Sequence, residues 1–256
     1  MFGISPLLLG AALSVVAAVA VSPAMAADAP QKTVVLVHGA FADGSSWSKV
    51  IPLLEAKGLR VVAVQNPLSS LAADVDATNR IIDMAPGPVI LVGHSWGGQV
   101  ISQAGVNDKV KALVYVAAFA PDAGESPGGI SQANPPEAFA NIAPDSDGYL
   151  WVRQDKFRDS FCQDLPEDEA LVMAVTQKAP LASTFGDAVS EPAWKHKPCW
   201  YQVSGQDRMI APENQQRMSA RMNARKVITL DAGHASLASR PGEVAALIDE
   251  AAKATG

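Results

Sequence analysis

Short apolar runs alternate with amphipathic stretches along most of this chain. Residues 33–37 read TVVLV, a continuous aliphatic run with no polar interruption. A strand of that kind is buried on both faces, as in a parallel sheet. Comparable runs recur at 60–64, 88–92, 110–118, 201–204 and 227–230. Helical spacing fills the gaps between them. Residues 46–57 (SWSKVIPLLEAK) predict a helix with Ser45 or Ser46 as its N-cap and Gly58 as its stop, with Pro52 disturbing its middle. Residues 71–84 place Val75, Ile81 and Ile82 on a second helix, and 96–105, 212–222 and 241–252 predict three more, the last opening on Pro241. Strand, helix and strand in repeated succession predict an α/β fold: a mostly parallel sheet of about six strands flanked by helices. The rhythm breaks at 121–190, which is rich in Pro, Gly, Asp and Asn and holds a helical piece at 167–178. That stretch predicts a mainly helical insertion after the fourth strand.

The first 26 residues follow another rule. They contain no charged side chain, run apolar from Leu7 to Val21, and end in Ala24-Met25-Ala26. This predicts a signal peptide at 1–26, cleaved before Ala27, with the folded domain at 27–256. The n-region lacks Lys and Arg, which departs from the usual pattern, and an uncleaved anchor is the alternative. The apolar run is shorter than the roughly 20 residues a spanning helix needs, so no stable membrane anchor is expected after cleavage. The expected location is periplasmic or secreted. In such an oxidising compartment Cys162 and Cys199 can pair, and the sequence leaves both states open.

Composition narrows the function classes. The chain is 48% hydrophobic and 18% charged, as a protein with a packed core should be. Its net charge of −6, with no cluster of Lys and Arg, argues against nucleic-acid binding. Four His and two Cys form no ligand-like grouping, so neither a metal nor another cofactor is expected. Oligomeric state is left open.

The chemistry centres on Gly93-His94-Ser95-Trp96-Gly97, a G-x-S-x-G between a predicted strand and a predicted helix. A sharp turn there exposes a serine hydroxyl at a helix N-terminus, where developing negative charge is favoured. Serine needs a base and the base an orienting acid, in the chain order Ser, acid, His. His234 follows the sixth strand and Asp207 the fifth, and in an open α/β sheet both loops lie at the carboxyl edge. Asp122, after the fourth strand, is the competing acid. Asp231 lies nearer His234 in sequence but precedes the turn. His38-Gly39-Ala40, after the first strand, and the residue after the nucleophile predict an oxyanion hole from the backbone N–H groups of Ala40 and Trp96.

With these residues in place, the chain resembles the α/β-hydrolase superfamily over nearly all of the predicted mature chain. The stretches VVLVHGAFADGSSWSKVIPLL, VILVGHSWGG and VYVAAFAPDAGES resemble the branch of plant methyl-ester esterases and hydroxynitrile lyases. By that resemblance residues 121–190 form a lid over the site. The lyases of the branch tend to carry Thr where Gly39 stands and Lys where Ala235 stands, so the resemblance favours ester hydrolysis over cyanohydrin cleavage. The implied substrate is a small hydrophobic carboxylic ester. A receptor-like binder with slow turnover is the other alternative. Trp151, Phe157, Phe161, Met173 and Phe185 are the insertion's apolar candidates, and the sequence does not say which of them meets a substrate.

Overall fold

All five residues of β1 (Thr33–Val37) are buried, with Val35 and Val37 in one apolar cluster and Val34 and Leu36 in another. A strand with no polar face must be covered on both sides, and the rest of the chain supplies that cover. The structure is a computed structural model that describes residues 1–3 and 31–255. Nearly all of the predicted signal peptide lies outside the described residues.

β1 pairs in parallel with β2 (Arg60–Ala63) and with β3 (Val89–His94), and β3 pairs with β4 (Val110–Val116). A short antiparallel hairpin, β5 (Ile142–Pro144) and β6 (Leu150–Val152), stands apart from the main sheet. β7 (Cys199–Ser204) and β8 (Lys226–Leu230) complete a six-stranded parallel sheet in the order β2-β1-β3-β4-β7-β8. The order reverses between β1 and β3. Loops leaving those two strands diverge there and open a crevice at the carboxyl edge, the usual ligand position in open α/β sheets.

The helices are α1 (Ile51–Glu55), α2 (Leu71–Met84), α3 (Trp96–Ala104), α4 (Pro127–Ser131), α5 (Phe157–Phe161), α6 (Glu167–Thr176), α7 (Pro212–Arg221), α8 (Ser236–Ser239) and α9 (Pro241–Ala254). Several elements depart from expectation. The single helix predicted at 46–57 is two pieces, a 3-10 turn at Gly44–Trp47 and α1. Pro52 has no N–H to continue a helix, so it sits in the first turn of a new one. Asp43, not Ser45 or Ser46, caps the first piece, accepting the Ser45 N–H at 2.7 Å. The helical piece at 167–178 ends at Thr176, and the closing helix runs on to Ala254. α4 and α5 belong to the insertion, whose hairpin the sequence did not announce. The fourth strand stops at Val116, two residues early, and Ala117 turns away with φ 43°.

Cys162 follows α5 and Cys199 begins β7, and both are buried free thiols, so the pairing left open by the sequence does not occur in this structure. Burial pushes the Cys162 thiol up to about 12 and Cys199 to about 11.

Candidate active site

Ser95 stands between β3 and α3 with φ 53° and ψ −122°. An L-residue holds that conformation only where its surroundings enforce it. The enforcement is visible at Gly97, where a Cβ would come within 2.3 Å of the Val37 carbonyl oxygen on β1. Only glycine lets α3 start this close to the neighbouring strand. Ser95 is 7% exposed, at the bottom of a cavity and not on open surface.

The loop after β1 comes equally close. A Cβ on Gly39 would lie 2.6 Å from the Cβ of Ser95. Neither the Ala40 N–H nor the Trp96 N–H has a hydrogen-bond partner among the described residues, whereas the next donor, Phe41 N–H, is bound to the Lys178 carbonyl at 3.0 Å. The loop's shape is held from behind by His38. Its Nε2 accepts the Asn66 N–H at 2.9 Å, so Nδ1 carries the proton and meets the Gly39 carbonyl at 2.8 Å. Asn66 returns an amide N–H to the His38 carbonyl at 2.9 Å. Burial lowers the His38 pKa from 6.5 to about 4, so the ring is neutral at neutral pH.

Trp96 is tethered as well. Its indole N–H donates to Asp74 Oδ2 at 2.7 Å, and Asp74 Oδ1 accepts the Leu68 N–H at 2.8 Å. Burial raises the Asp74 pKa while these donors lower it in part.

Asp207, in the loop after β7, meets His234, in the loop after β8, at 2.7 Å between Oδ2 and Nδ1. Both side chains are fully buried. The carboxylate is held open for this contact because Oδ1 accepts the N–H groups of Met209 and Ile210 at 2.7 and 2.9 Å. A second donor, Gln215 Nε2 on α7, reaches Oδ2 at 2.7 Å. His234 Nε2 is buried and has no partner among the described residues, which leaves it free as an acceptor. The ring lies 4.7 Å from that of His94, the residue before Ser95, and His94 Nε2 donates to the His234 carbonyl at 2.9 Å. Burial, and then the neighbouring His234, lower the His94 pKa well below the ordinary histidine value. Asp122 points elsewhere. Its carboxylate pairs with Lys195 at the surface. Asp231 is exposed, and its carbonyl accepts from Arg240.

The insertion supports His234. Phe161, ending α5, packs edge-on against the His234 ring at 4.9 Å, and its carbonyl accepts the Ala235 N–H at 3.1 Å. Asp164 accepts the Gly233 N–H at 2.9 Å, and Gln163 donates to the Gln206 carbonyl at 2.6 Å. One short segment therefore grips both the loop that carries Asp207 and the loop that carries His234.

Over Ser95 lies a cavity of about 330 Å³, walled by Phe119, Phe139, Ile142, Leu150, Phe185 and Met209 among others, with no charged residue in its lining. Of the insertion's apolar candidates only Phe185 lines it. Phe157 and Phe161 stack on each other at 5.0 Å. Trp151 is exposed and donates to Asp145, and Met173 borders a separate groove at the surface.

Of the five predicted site residues, Ala40 and Ser95 line the cavity, His234 pairs with Asp207 behind it, and Trp96 follows Ser95 at the start of α3. Asp74, Asp164 and Gln215 did not stand out in the sequence. Only Gln215 left a trace there, as a polar side chain on the helix face that also carries the buried Met218.

Comparison with known proteins places the site in context. A model described as "Alpha/beta hydrolase family" matches residues 34–247. Methylesterase 3 of Arabidopsis thaliana is 28% identical, over 89% of this chain and 98% of its own length. "Probable hydrolase R7" of Phoma sp. is 25% identical over 86% of this chain and 97% of its own. The crystal structure of a pyrethroid hydrolase from Sphingobium faniae superposes with a TM-score of 0.74 at 25% identity, covering 87% of this chain and 98% of that one.

Proposed function

The chain belongs to the alpha/beta hydrolase family, and from that premise we propose that it is an exported serine esterase acting on small hydrophobic carboxylic esters. The observation that carries the reading is the buried His234–Asp207 contact at 2.7 Å, with His234 Nε2 left without a hydrogen-bond partner among the described residues and the His234 carbonyl bound by His94, the residue before Ser95. The names of two relatives, a methylesterase and a pyrethroid hydrolase, point to the same bond type.

In this mechanism Ser95 Oγ attacks the ester carbonyl and its proton passes to His234 Nε2. Asp207 holds the imidazole in the tautomer that can accept, and stabilises the imidazolium that forms. The carbonyl oxygen, now an anion, takes the free N–H groups of Ala40 and Trp96, each worth about 3–4 kcal/mol in such sites. Collapse expels the alcohol, which takes its proton from His234. Water then gives a proton to His234, attacks the acyl-serine, and releases the acid as the proton returns to Ser95.

The uncharged cavity suits a neutral apolar group, and we read the insertion that roofs it as a lid. Gly39 and Ala235 support hydrolysis over cyanohydrin cleavage. The 2.6 Å approach of a Gly39 Cβ to Ser95 leaves no room for a threonine, and Ala235 is buried and brings no cation.

The deciding experiment is a p-nitrophenyl ester series, from acetate to decanoate, on the mature protein and on Ser95→Ala. Turnover confined to the wild type is expected, with a chain-length optimum set by the cavity. Tight binding of ester without turnover would replace the esterase by a binder. Asp207→Asn should lower kcat on the order of 10⁴-fold, as loss of the orienting acid does in the serine-protease triad. Export predicts that protein recovered outside the cytoplasm begins at Ala27, as N-terminal sequencing would read.

A further inference from the structure

Asp207 Oδ2 is shared. It accepts His234 Nδ1 and Gln215 Nε2, each at 2.7 Å. Gln215 is fully buried, and its amide has no freedom to turn. Its second N–H donates to the Ile210 carbonyl at 2.8 Å, and its oxygen accepts the Ser204 N–H at 3.0 Å. Flipping the amide would set its oxygen against a carboxylate and a carbonyl, and its NH₂ against an N–H. The network therefore admits one orientation, with the donor aimed at the acid.

We propose that Gln215 is a positioning residue for the reaction, holding the Asp207 carboxylate in the plane and orientation that His234 Nδ1 requires. The inference rests on Asp207 being the acid of the esterase proposed above. With Oδ1 bound to the Met209 and Ile210 N–H groups, the carboxylate has four donors in all. The first three anchor Oδ1 and bring Oδ2 to the imidazole, and the remaining acceptor position on Oδ2 is the one Gln215 fills. The fourth, from a helix and not from the acid's own loop, ties α7 to the imidazole through one oxygen. Gln215 does not line the cavity, whereas Met209 and Ile210 do. Loss of positioning and loss of loop structure therefore have different kinetic signatures.

Gln215→Met keeps the length of the side chain and removes the donor to Asp207, along with its bonds to the Ile210 carbonyl and the Ser204 N–H. Expected is a kcat lowered about tenfold, the size of one hydrogen bond to a charged group, with KM for a p-nitrophenyl ester within twofold of wild type. In an Asp207→Asn background the same change should cost less than twofold, because the carboxylate it positions is gone. A raised KM with unchanged kcat, or an equal loss of kcat in both backgrounds, would overturn the inference and leave Gln215 as a support of the loop. If Gln215→Met does not fold, Gln215→Asn, which withdraws the amide by one methylene, carries the same pair of measurements. Full activity in Asp207→Asn alone would instead remove the premise, whatever Gln215 does.

Discussion

Gly39 and Gly97 show how little space the site leaves. A backbone like that of Ser95, at φ 53°, costs of order 1–3 kcal/mol, and it persists here because neighbouring chain over-determines it. Gly39→Ala places a methyl 2.6 Å from the Ser95 Cβ and must move the loop that carries the Ala40 N–H. The expected result is a kcat lowered by about 10²-fold, the loss typical of one oxyanion donor, with the melting temperature moved by only a few degrees. Wild-type kcat in that variant would show that this loop does not present the donor. The thiols make a second residue-scale case. With burial holding Cys162 near 12 and Cys199 near 11, neither forms thiolate at neutral pH. Thiol reagents should label neither in the native protein and both after denaturation, and mass should not change on reduction. Two unreactive cysteines in the denatured, unreduced protein would mean a bond after all.

At the scale of elements, the insertion after β4 reaches the loops that carry Asp207 and His234. Its segment 161–164 supplies the ring against His234, the acceptor for the Ala235 N–H and the carboxylate for the Gly233 N–H. Asp164→Ala should cost about 1 kcal/mol in urea unfolding, for one part-buried hydrogen bond, and lower kcat several-fold by loosening the loop of His234. Unchanged kcat would confine Asp164 to a structural role. The regular elements were legible in advance because each carries its period in its own residues. α2 matches its predicted bounds, and so does β1. The split at Pro52 was half legible, since proline announces an interruption but not whether the chain restarts as helix. The hairpin β5–β6 was not legible. Three-residue strands have too few positions to show an alternation, and they form because the insertion folds back on itself.

For the whole molecule, acid is the condition to which stability should respond most. His38 is buried and neutral, with its pKa depressed from 6.5 to about 4. The unfolded chain takes up that proton first, so the stabilisation is fully present above pH 6.5 and is lost as pH falls toward 4. At 1.36 kcal/mol per pH unit the loss is about 3 kcal/mol from this residue. His94, lowered in the same direction, adds to it, while Asp74, raised by burial, works against it. Urea unfolding at pH 7 and at pH 4.5 should show the drop, and His38→Gln should reduce it. An unchanged acid slope in that variant would place the sensitivity elsewhere.

What the sequence determined by itself was the class of fold and a set of candidates for the site. Doubly buried strands, a serine elbow, and an acid and a histidine after later strands are local signals, written in residue type and order. What only the tertiary structure decided was contact. That Asp207 and not Asp122 meets His234 follows from the sheet order, which sets β7 beside β8 and so brings their loops together, while Asp122 finds Lys195. The free thiols, and the clamps of Asp74, Asp164 and Gln215, join residues from different elements. Such contacts have no period and no motif, because they exist only once separate elements have packed.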